Sequence, residues 1–565
     1  MDNYAIADNF SLLAKLMDIH GENSFKTKSY SVAAFTIEKL PAELSSLPQD
    51  KIFSIKGIGE TIGKKIIEQL QTSEMALLNE YLAKTPQGIL EMLNIKGLGP
   101  KKIATVWNDL EIESLGELLY ACYENRLLLY KGFGEKTQQS IKEAIEFYLN
   151  NKGNYLYAQI ESFAETMHAQ LVKDFNGKKL LQIGDYRKHS EIISKLEWVT
   201  NASSGEVNEY FEKNGFKAIN QSEEVASYKG EENIELIFHF ADNDALYLKQ
   251  FITSSSEPFL TEWIQQNLFD KEKAYKSEEE IFSDAKIDFI PAWLRETAKV
   301  IDDAKQHRLP EVIQEKDITA IIHSHSKWSD GVNTIEEMAR AAVEKGLQFL
   351  VISDHSKTAF YANGLTEERL IAQHQEIDEL NKKLSPFKIF KSIESDILND
   401  GNLDYSNEVL ATFDVVIASV HSNLKMSEEK AMMRLLKAIE NPYTSILGHM
   451  TGRLLLSRNG YPVDHKKIIE ACAANNVVIE LNAHPRRLDI DWRWIDYALE
   501  KNVLISIDPD AHEIGGYRDI KYGVLAAQKA GLTKEQNLSS FSLPAFENFV
   551  ASQKTKRPKQ ALHQD

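Results

Sequence analysis

The sequence feature that most constrains the fold of this chain is a series of apolar runs that each end in a residue able to bind a metal ion. Seven such runs lie between positions 318 and 514, and helical periods such as IEEMARAAVEKG and HKKIIEACAANN separate most of them. The potential ligands at the ends of the runs are His323, His325, Asp330, Asp354, His355, Glu394, His421, His449, His484, Asp510 and His512. Strands that alternate with helices predict parallel β/α units, in which buried strands read as continuous apolar runs. Since the C-terminal strand ends of such a barrel share one face, we expect the active site there.

The number of these residues favours a metal centre over a set of structural histidines. Seven of the 15 histidines of the chain lie at the ends of the runs, beside several carboxylates. Burial of so many ionisable groups without a cation would cost on the order of several kcal/mol for each group. Mixed imidazole and carboxylate ligands suit zinc, manganese or iron, so the sequence does not choose among these metals.

The motifs HSHSKWSDG, SDHS, IESDIL, SVHS, LGHMTGRLLL and DPDAH resemble those of the PHP (polymerase and histidinol phosphatase) domain. The form GHMTGRLLL is most similar to the PHP domain that is fused to bacterial family X DNA polymerases. The resemblance implies a distorted seven-stranded β/α barrel that holds three divalent metal ions. Carried over by position, the ligands would be His323, His325, Glu394 and Asp510 for one ion, Glu394, His421 and His449 for the second, and Asp330, His355 and His512 for the third.

Within this set we predict catalytic roles for Glu394, which would bridge two ions, and for Asp510. Arg453 follows the histidine of the GHMTGR motif, where it could either meet a phosphate or form a salt bridge of the barrel. Both interpretations stay open at this point. Asp354 precedes a ligand histidine, a position from which an aspartate can orient ligands without binding the metal itself.

The composition bounds the remaining possibilities. A chain of 565 residues is too long for one core and is expected to contain three or more domains. Cys122 and Cys472 are the only cysteines, which argues against a disulfide framework and a cysteine zinc site. Without a secretory leader or an apolar run long enough to span a bilayer, the expected location is cytoplasmic, with no membrane partner. The net charge of −19 argues against a uniformly basic DNA-binding surface but leaves room for local basic loops.

A second pattern is repeated three times in the N-terminal part of the chain. The phrases IKGIGETIGKKI, IKGLGPKKIATVW and YKGFGEKTQQSI each contain Lys-Gly-apolar-Gly followed by an amphipathic period. The bland alternative is three tight turns between helices with no ligand. The phrases resemble the helix-hairpin-helix motif, which binds the DNA backbone through amides at a helix N-terminus without regard to sequence. The predicted DNA-binding residues are Lys56, Gly57, Gly59, Lys96, Gly97, Gly99, Lys131, Gly132 and Gly134.

The order of the segments resembles that of family X DNA polymerases and predicts a multidomain protein with α and α/β parts. The implied domains are a helical lyase-like domain with one hairpin (1–84), a fingers-like domain with two hairpins (85–150), a degenerate α+β palm-like domain (151–245), a thumb-like domain (246–301), a linker (302–315), a distorted (β/α)7 PHP barrel (316–553) and a polar tail (554–565).

Two family sites are altered in this sequence. Glu74 occupies the position of the Schiff-base lysine of family members with lyase activity, and a carboxylate cannot form an imine. In the palm, the three aspartates that hold two magnesium ions align with Lys195, Glu197 and Glu235. A lysine among the ligands would repel magnesium, so we expect no magnesium ion at the palm and no polymerase activity.

The leading functional hypothesis is a DNA-binding, metal-dependent phosphodiesterase, either a 3′-5′ exonuclease or an enzyme that processes 3′ ends in DNA repair. One alternative is an active family X repair polymerase with an exonuclease. Another is a small-molecule phosphatase of the histidinol phosphate type, against which the three hairpin phrases weigh. A non-catalytic DNA-binding scaffold is disfavoured because the barrel retains its ligands. The sequence predicts neither the metal in use nor the oligomeric state.

Overall fold

The computed structural model describes residues 1, 3–40, 42–150, 153–230, 233–268, 270 and 273–558. The chain forms two compact units, Met1–Tyr148 and Leu149–Asp565. The finer domain boundaries drawn from the sequence stay predictions. Of the predicted polar tail, residues 559–565 lie outside the described part, and its first residues end a helix.

The N-terminal unit is helical. Its first two helices pack against each other, and the rings of Phe10 and Tyr30 stack between them at 5.9 Å. Apolar residues at helical spacing, among them Ile6 and Leu13, are buried in this core. The helices are α1 (Asn3–Ile19), α2 (Ser24–Glu38), α3 (Gln49–Ile52), α4 (Glu60–Thr72), α5 (Ala76–Lys84), α6 (Gln87–Met92), α7 (Pro100–Asn108), α8 (Leu115–Tyr123) and α9 (Glu135–Asn150).

The C-terminal unit begins with the palm-like region, a mixed five-stranded sheet in the order β2-β4-β7-β6-β5. Only β4 and β7 pair in parallel, and the aromatic rings of Trp198, Phe211 and Phe238 form its core. The elements are β1 (Tyr155–Leu156), α10 (Tyr157–Asp174), β2 (Leu180–Ile183), α11 (Gly184–Arg187), β3 (Ile192–Ile193), β4 (Lys195–Thr200), α12 (Ser204–Lys213), β5 (Lys217–Gln221), β6 (Val225–Lys229) and β7 (Glu235–Phe240).

The thumb-like region that follows packs around Phe251, Trp263 and Phe282. Its helices are α13 (Leu246–Thr253), α14 (Glu257–Gln265), α15 (Glu278–Asp284) and α16 (Lys299–Lys305), so that helix continues into the segment predicted as a linker. The fully buried guanidinium of Arg295 lies 2.8 Å from a carboxylate oxygen of Glu278. A buried charge of this kind is tolerated because it is paired.

The remainder of the C-terminal unit is a nearly closed parallel barrel, which confirms the predicted fold. Seven strands pair in chain order, and a bridge between Ser324 and Ala511 joins the first strand to the segment after the last. The elements are β8 (Ala320–Ser324), α17 (Ile335–Glu344), β9 (Phe349–Ile352), α18 (Glu367–Leu384), β10 (Lys388–Asp396), α19 (Asn407–Leu410), β11 (Val415–Ser419), α20 (Glu428–Ile439), β12 (Ile446–Leu447), α21 (His465–Asn475), β13 (Val478–Asn482), α22 (Ile495–Glu500), β14 (Ile505–Asp508), α23 (Ile520–Lys529) and α24 (Leu543–Thr555).

Residues of both faces of the barrel strands are buried, as expected for continuous apolar runs covered by helices. Ile322, Val351 and Ile417 belong to a smaller apolar cluster that also includes α24, while the alternate strand residues pack in the larger cluster with α17–α23. The strands therefore form a fixed frame, and the segments at their C-terminal ends carry the polar residues.

Ion pairs attach the barrel to the palm-like and thumb-like regions. Lys529 of α23 donates to the backbone oxygen of Lys188 at 2.7 Å and lies 2.5 Å from the carboxylate of Glu296. Lys299 of α16 lies 2.9 Å from Asp496 of α22. Charged side chains of the barrel and the thumb-like region therefore hold the barrel against the palm-like and thumb-like regions.

Candidate metal centre

The predicted metal ligands all lie at the C-terminal ends of barrel strands. His323 is the last residue but one of β8, and His325 lies just beyond that strand. Glu394 is two residues before the end of β10, and the others follow their strands in short loops. The described positions are His323, His325, Asp330, His355, Glu394, His421, His449, Asp510 and His512. The side chains are buried or nearly so, which brings titratable groups from six strands into one place.

Left-handed backbone angles occur at two of these positions. His323 has φ 57° and Asp510 has φ 51°, in a region that residues other than glycine rarely adopt. The amide of Ala511 donates to the His323 oxygen at 3.3 Å, and the His325 amide donates to the Ala511 oxygen at 2.9 Å. The junction of β8 with the segment after β14 therefore holds these side chains inward. Strained backbone of this kind persists where the surrounding structure enforces it, commonly at functional sites.

Glu394 is the centre of the cluster. Its Oε1 atom lies 2.9 Å from His449 Nε2, 3.1 Å from His421 Nε2 and 3.3 Å from His323 Nε2. Its Oε2 atom lies 3.0 Å from His355 Nδ1. Imidazoles from four different strand ends thus surround one buried carboxylate, which is the arrangement that a bridging ligand requires.

Two aspartates complete the cluster on either side. Asp510 Oδ1 lies 3.0 Å from His325 Nε2 and 3.4 Å from His323 Nε2. Asp330 Oδ2 lies 3.4 Å from His512 Nε2 and 3.5 Å from His355 Nε2. Each carboxylate therefore has two imidazoles close to a single oxygen.

Three groups in the described part of the chain have ligand atoms within 4.8 Å of one another. They are His325, Asp330, His355 and His512, then His323, His325 and Asp510, and finally His355, Glu394 and His421. The groups resemble the three ligand sets implied by the family but differ in three respects. His325 and His355 each belong to two groups, and His449 belongs to none although it contacts Glu394. Glu394 itself is absent from the group of His323, His325 and Asp510. The assignment of ligands to particular ions stays a prediction.

The charges of these side chains depend strongly on one another. Burial by itself would lower the pKa of His323, but the carboxylates of Glu480, Asp510 and Glu394 outweigh it and raise this pKa well above its usual value. Burial would likewise raise the pKa of Glu394, and the surrounding imidazoles instead lower it.

The same balance acts in opposite directions on two other imidazoles. Burial, together with the neighbouring imidazoles of His512 and His355, lowers the pKa of His325 to about 3. Burial opposes protonation of His421, yet Glu394 and Asp396 raise its pKa to about 10. The charge of each imidazole therefore depends on the balance between burial, the other imidazoles and the carboxylates around it.

Several buried atoms of the cluster make no hydrogen bond, which tests whether the residues fit a metal ion. Among these atoms are His323 Nε2, both ring nitrogens of His355 and Glu394 Oε2, which lie near atoms of opposite charge but outside hydrogen-bond geometry. Buried polar atoms without a hydrogen bond are costly, and in a native protein each needs an explanation such as an ion. Imidazole nitrogens and carboxylate oxygens are ligands for zinc, manganese and iron, so the donor set fits divalent metal ions.

A surrounding set of carboxylates orients the imidazoles. Glu480 of β13 lies 2.5 Å from His323 Nδ1, and Asp396 lies 2.5 Å from His421 Nδ1. Contacts of this type fix which ring nitrogen is available to a metal. Neither carboxylate was among the residues predicted from the sequence. Asp396 could have been found from the alternation of strand side chains, since it lies two residues from Glu394 on the same strand.

Asp354, the residue before His355, contacts the loop that follows β8, and its role in orienting ligands stays a prediction. Its Oδ1 accepts the Ser326 amide at 2.8 Å, and its Oδ2 accepts the amide of Gln373 at 2.6 Å. Ser326 and Ser329 also donate their hydroxyl groups to this carboxylate. The aspartate thus holds the loop that carries His325.

Arg453 lies in an ion-pair network. Its guanidinium is 2.5 Å from Asp491 and 3.1 Å from Glu191 of the palm-like region, and its Nε donates to the Arg487 oxygen at 2.9 Å. The catalytic role is not tested by these contacts. They occupy all three guanidinium nitrogens, however, so the geometry favours the interpretation of Arg453 as a salt-bridge partner.

The loop after β13 brings other basic residues close to the cluster. Arg487, which the sequence analysis missed, is buried with its Nε 3.8 Å from Asp510 Oδ2. His484, the seventh strand-end histidine, accepts the Arg486 amide at 3.2 Å through Nδ1. Burial and the two arginines lower the pKa of His484 to about 3. The phrase HPRR, with two adjacent arginines after a strand end, was the available signal.

The three hairpin phrases adopt the same local geometry. The first glycines, Gly57, Gly97 and Gly132, have φ values of 94°, 92° and 97°. The apolar residue between each pair of glycines is buried, and its amide bonds to the oxygen three residues before it. The predicted contact residues are all exposed, namely Lys56, Gly57, Gly59, Lys96, Gly97, Gly99, Lys131, Gly132 and Gly134.

Each hairpin turn leads directly into a helix. Gly59 and Gly99 are the N-caps of α4 and α7, and Gly134 precedes α9. The first amides of a helix have no acceptor within it, so three such ends face outward beside lysines. A Cβ atom at Gly59, Gly99 or Gly134 would meet no protein atom within 4 Å, so packing does not explain the second glycine.

The altered palm positions lie side by side on the sheet. Lys195 of β4 pairs in register with Glu235 of β7, and its Nζ lies 3.1 Å from the carboxylate of Glu197. His239 approaches the same carboxylate at 3.5 Å. An ammonium group and an imidazole therefore contact the carboxylate that aligns with a magnesium ligand. Glu74, at the altered lyase position, accepts a hydrogen bond from Asn79 at 3.1 Å.

Family models match both halves of the chain. The PHP domain matches residues 322–484, a helix-hairpin-helix domain matches residues 1–75, and a SAM-like helix-hairpin-helix tandem matches residues 89–146. Among the described residues, no helix combines the length and the apolar character needed to cross a membrane.

One curated relative matches nearly the whole chain, and others match only a part of it. The DNA polymerase/3′-5′ exonuclease PolX of Bacillus subtilis (strain 168) is 31% identical over 558 residues, 95% of this chain and 97% of the relative. A probable phosphatase of Caldanaerobacter subterraneus is 31% identical over 165 residues, 28% of this chain and 60% of the relative. A probable phosphatase of Thermoanaerobacter sp. (strain X514) is 28% identical over 232 residues, 39% of this chain and 89% of the relative.

Proposed function

The chain belongs to the family of the DNA polymerase/3′-5′ exonuclease PolX, and we propose that it is a metal-dependent phosphodiesterase that removes nucleotides from the 3′ ends of DNA. The proposal includes a role in DNA repair, which would suit a DNA substrate, and a cytoplasmic location, and neither depends on a residue of the site.

The observation that carries the proposal is the environment of Glu394. A fully buried carboxylate with imidazoles on both oxygens is suited to bind two cations at once. Three divalent ions, of manganese, zinc or iron, would be held by His323, His325, Asp330, His355, Glu394, His421, His449, Asp510 and His512. Bound in such a cluster, divalent ions supply an activated water near neutral pH and stabilise charge on a phosphate.

The residues of the chain contribute to this reaction by position. Glu480 and Asp396 fix the ring orientation of His323 and His421, so that one nitrogen of each faces the centre. Asp354 holds the loop of His325. Burial of the cluster strengthens every electrostatic interaction within it, because the local dielectric is low.

The three hairpin turns support DNA as the substrate class. Their exposed glycines and lysines lie at helix N-termini, where amides and the helix dipole attract a phosphate oxygen. Contacts of this kind are made to the backbone and carry no sequence information. A small-molecule phosphatase, the second candidate, is favoured by the two probable phosphatases that match 28% and 39% of this chain. The phosphatase hypothesis, however, gives the three hairpin turns no role in binding the substrate.

We infer further that nucleotide addition by the palm-like region is lost. Lys195 lies against Glu197, so that a positive side chain occupies the surroundings of the carboxylate. Arg187, in the turn where family members keep basic residues, is bound to Glu278 through both oxygens at 2.9 and 2.6 Å. The Bacillus relative is named as a DNA polymerase as well as an exonuclease, so this inference needs its own test.

The test is a degradation assay on DNA duplexes labelled at the 5′ end of one strand. With manganese and without nucleotides, we expect a ladder of products shortened from the 3′ end, and chelation should abolish it. Addition of all four deoxynucleoside triphosphates and a template should give no extension. Hydrolysis of histidinol phosphate with intact DNA would instead support the phosphatase.

A further inference from the structure

The large exposed apolar side chains of the barrel are divided between its outer helices and its loops. In its described residues, Val343, Ile371 and Met433 lie on the outer helices α17, α18 and α20. The other large exposed apolar residues, Val332, Phe360 and Leu456, lie in the loops after β8, β9 and β12, at the end of the barrel that holds the metal-ligand cluster. Phe360 is the extreme case, with 85% of its surface exposed.

Hydrogen bonds hold the loop that presents Phe360. Ser356 and Leu365 form a bridge across its base, and the Leu365 amide donates to the His355 oxygen at 2.9 Å. Thr358 donates its hydroxyl to Asp396 at 2.9 Å and its amide to Asp404 at 2.7 Å. The loop is thus attached to His355 and to Asp396, the partner of His421.

The residue that follows Phe360 lies next to the cluster. The ring of its neighbour Tyr361 lies 6.1 Å from the ring of His355 and 6.3 Å from that of His421. Consecutive Cα atoms are about 3.8 Å apart, so Phe360 begins one residue from a side chain that reaches the candidate metal ligands. Tyr361 is partly buried, with its hydroxyl enclosed, whereas Phe360 is open to solvent.

We propose that Phe360 is a stacking platform for the base of the 3′-terminal nucleotide whose phosphodiester bond enters the cluster. The inference rests on the proposed function and specifies how the barrel holds its substrate. Aromatic side chains stack on any base because every base has a π face, so this contact suits a nuclease without sequence preference. A small phosphate ester without a base would gain nothing from it. Single exposed apolar residues are common on protein surfaces, which makes a direct test necessary.

The experiment compares two substrates that differ only in the base. One is a duplex with an ordinary 3′-terminal nucleotide, and the other ends in an abasic tetrahydrofuran nucleotide. Phe360→Ala should lower kcat/KM for the ordinary end about ten-fold, as expected for the loss of one stacked base. The variant and the unmodified protein should remove the abasic nucleotide at equal rates. Phe360→Trp should restore the rate on the ordinary end.

The matched control is Ile371→Ala, which removes an exposed apolar side chain from the outer helix α18. It should change neither rate. An equal loss on both substrates in Phe360→Ala, or no loss on either, would overturn the stacking role. Failure of the unmodified protein to shorten any DNA is a separate result, which would contradict the proposed nuclease and is visible before any variant is compared.

Discussion

The barrel cluster and the palm-like sheet both place carboxylates on strands, yet their surroundings differ. Glu394 lies among imidazoles, which can be neutral and bind a cation. Glu197 lies beside the ammonium group of Lys195 and the imidazole of His239. The ammonium group of the lysine competes with any metal ion for that carboxylate. The neighbours of a carboxylate, rather than its presence on a strand, therefore decide whether a site can hold metal.

The largest expected effect comes from the barrel. Asp510→Ala removes a carboxylate 3.0 Å from His325, and Glu394→Gln removes the charge at the centre of the cluster. Loss of metal stabilisation worth several kcal/mol corresponds to a rate lower by about 10³-fold or more, measured as release of nucleotides from labelled DNA. DNA affinity, measured by fluorescence anisotropy, should not change. Normal degradation by both variants would move the chemistry out of the barrel.

The second prediction concerns the buried carboxylate of Glu278, which stabilises the thumb-like region through its ion pairs. Glu278→Gln breaks a buried group in which Arg187 and Arg295 approach at 2.6 and 2.8 Å. Removal of one partner of a buried pair costs about 3–5 kcal/mol, which should appear as a lower free energy of unfolding in urea. The variant should still degrade DNA below its unfolding midpoint. Unchanged stability would contradict the structural role of Glu278.

The stability difference between Glu278→Gln and the unmodified protein should depend on pH. Burial opposes ionisation of Glu278, but hydrogen bonds from Arg187 and Arg295 lower its pKa to about 2. A lowered pKa stabilises the folded state at pH values above the unfolded pKa of about 4.3, and this contribution disappears as the pH falls toward 2. The difference should therefore be constant above about pH 5 and shrink below it.

A smaller effect is expected from the hairpin turns. Gly97→Val places a branched side chain at φ 92° on an exposed turn, and it should weaken DNA binding about ten-fold by displacing the amides that follow. The slope of affinity against salt should also decrease. Gly177→Val is the control, since Gly177 is exposed with φ 84° in the palm-like region. Equal weakening by both substitutions would point to general strain.

The smallest effect is expected at the palm. Lys195→Ala removes the cation beside Glu197 but creates no new ligand, so neither DNA degradation nor primer extension should change. Extension of a primer by the unmodified protein would remove the contrast between the two regions. Degradation that falls in Lys195→Ala to the level of Asp510→Ala would show that the palm takes part in the nuclease reaction.

Much of the barrel could be predicted because its pattern is local. Continuous apolar runs such as VVIASV, which His421 follows, predict buried parallel strands and the end at which polar groups meet. Glu480 escaped notice because it lies inside an apolar run, where one acidic residue does not disturb the pattern. Its contact with His323 joins positions 157 residues apart, a separation that periodicity does not address.

The series of apolar runs, the hairpin phrases and the candidate ligands could be read from the amino-acid sequence alone, because these depend on spacing along one segment. Tertiary structure decided what each charged side chain contacts. Arg453 lies within four residues of His449, and only the folded chain brings it to Glu191, 262 residues away. Electrostatic energy depends on distance in space and on burial, neither of which can be read from neighbouring residues. For the same reason the sequence named the histidines of the cluster, while the structure showed which carboxylates orient them.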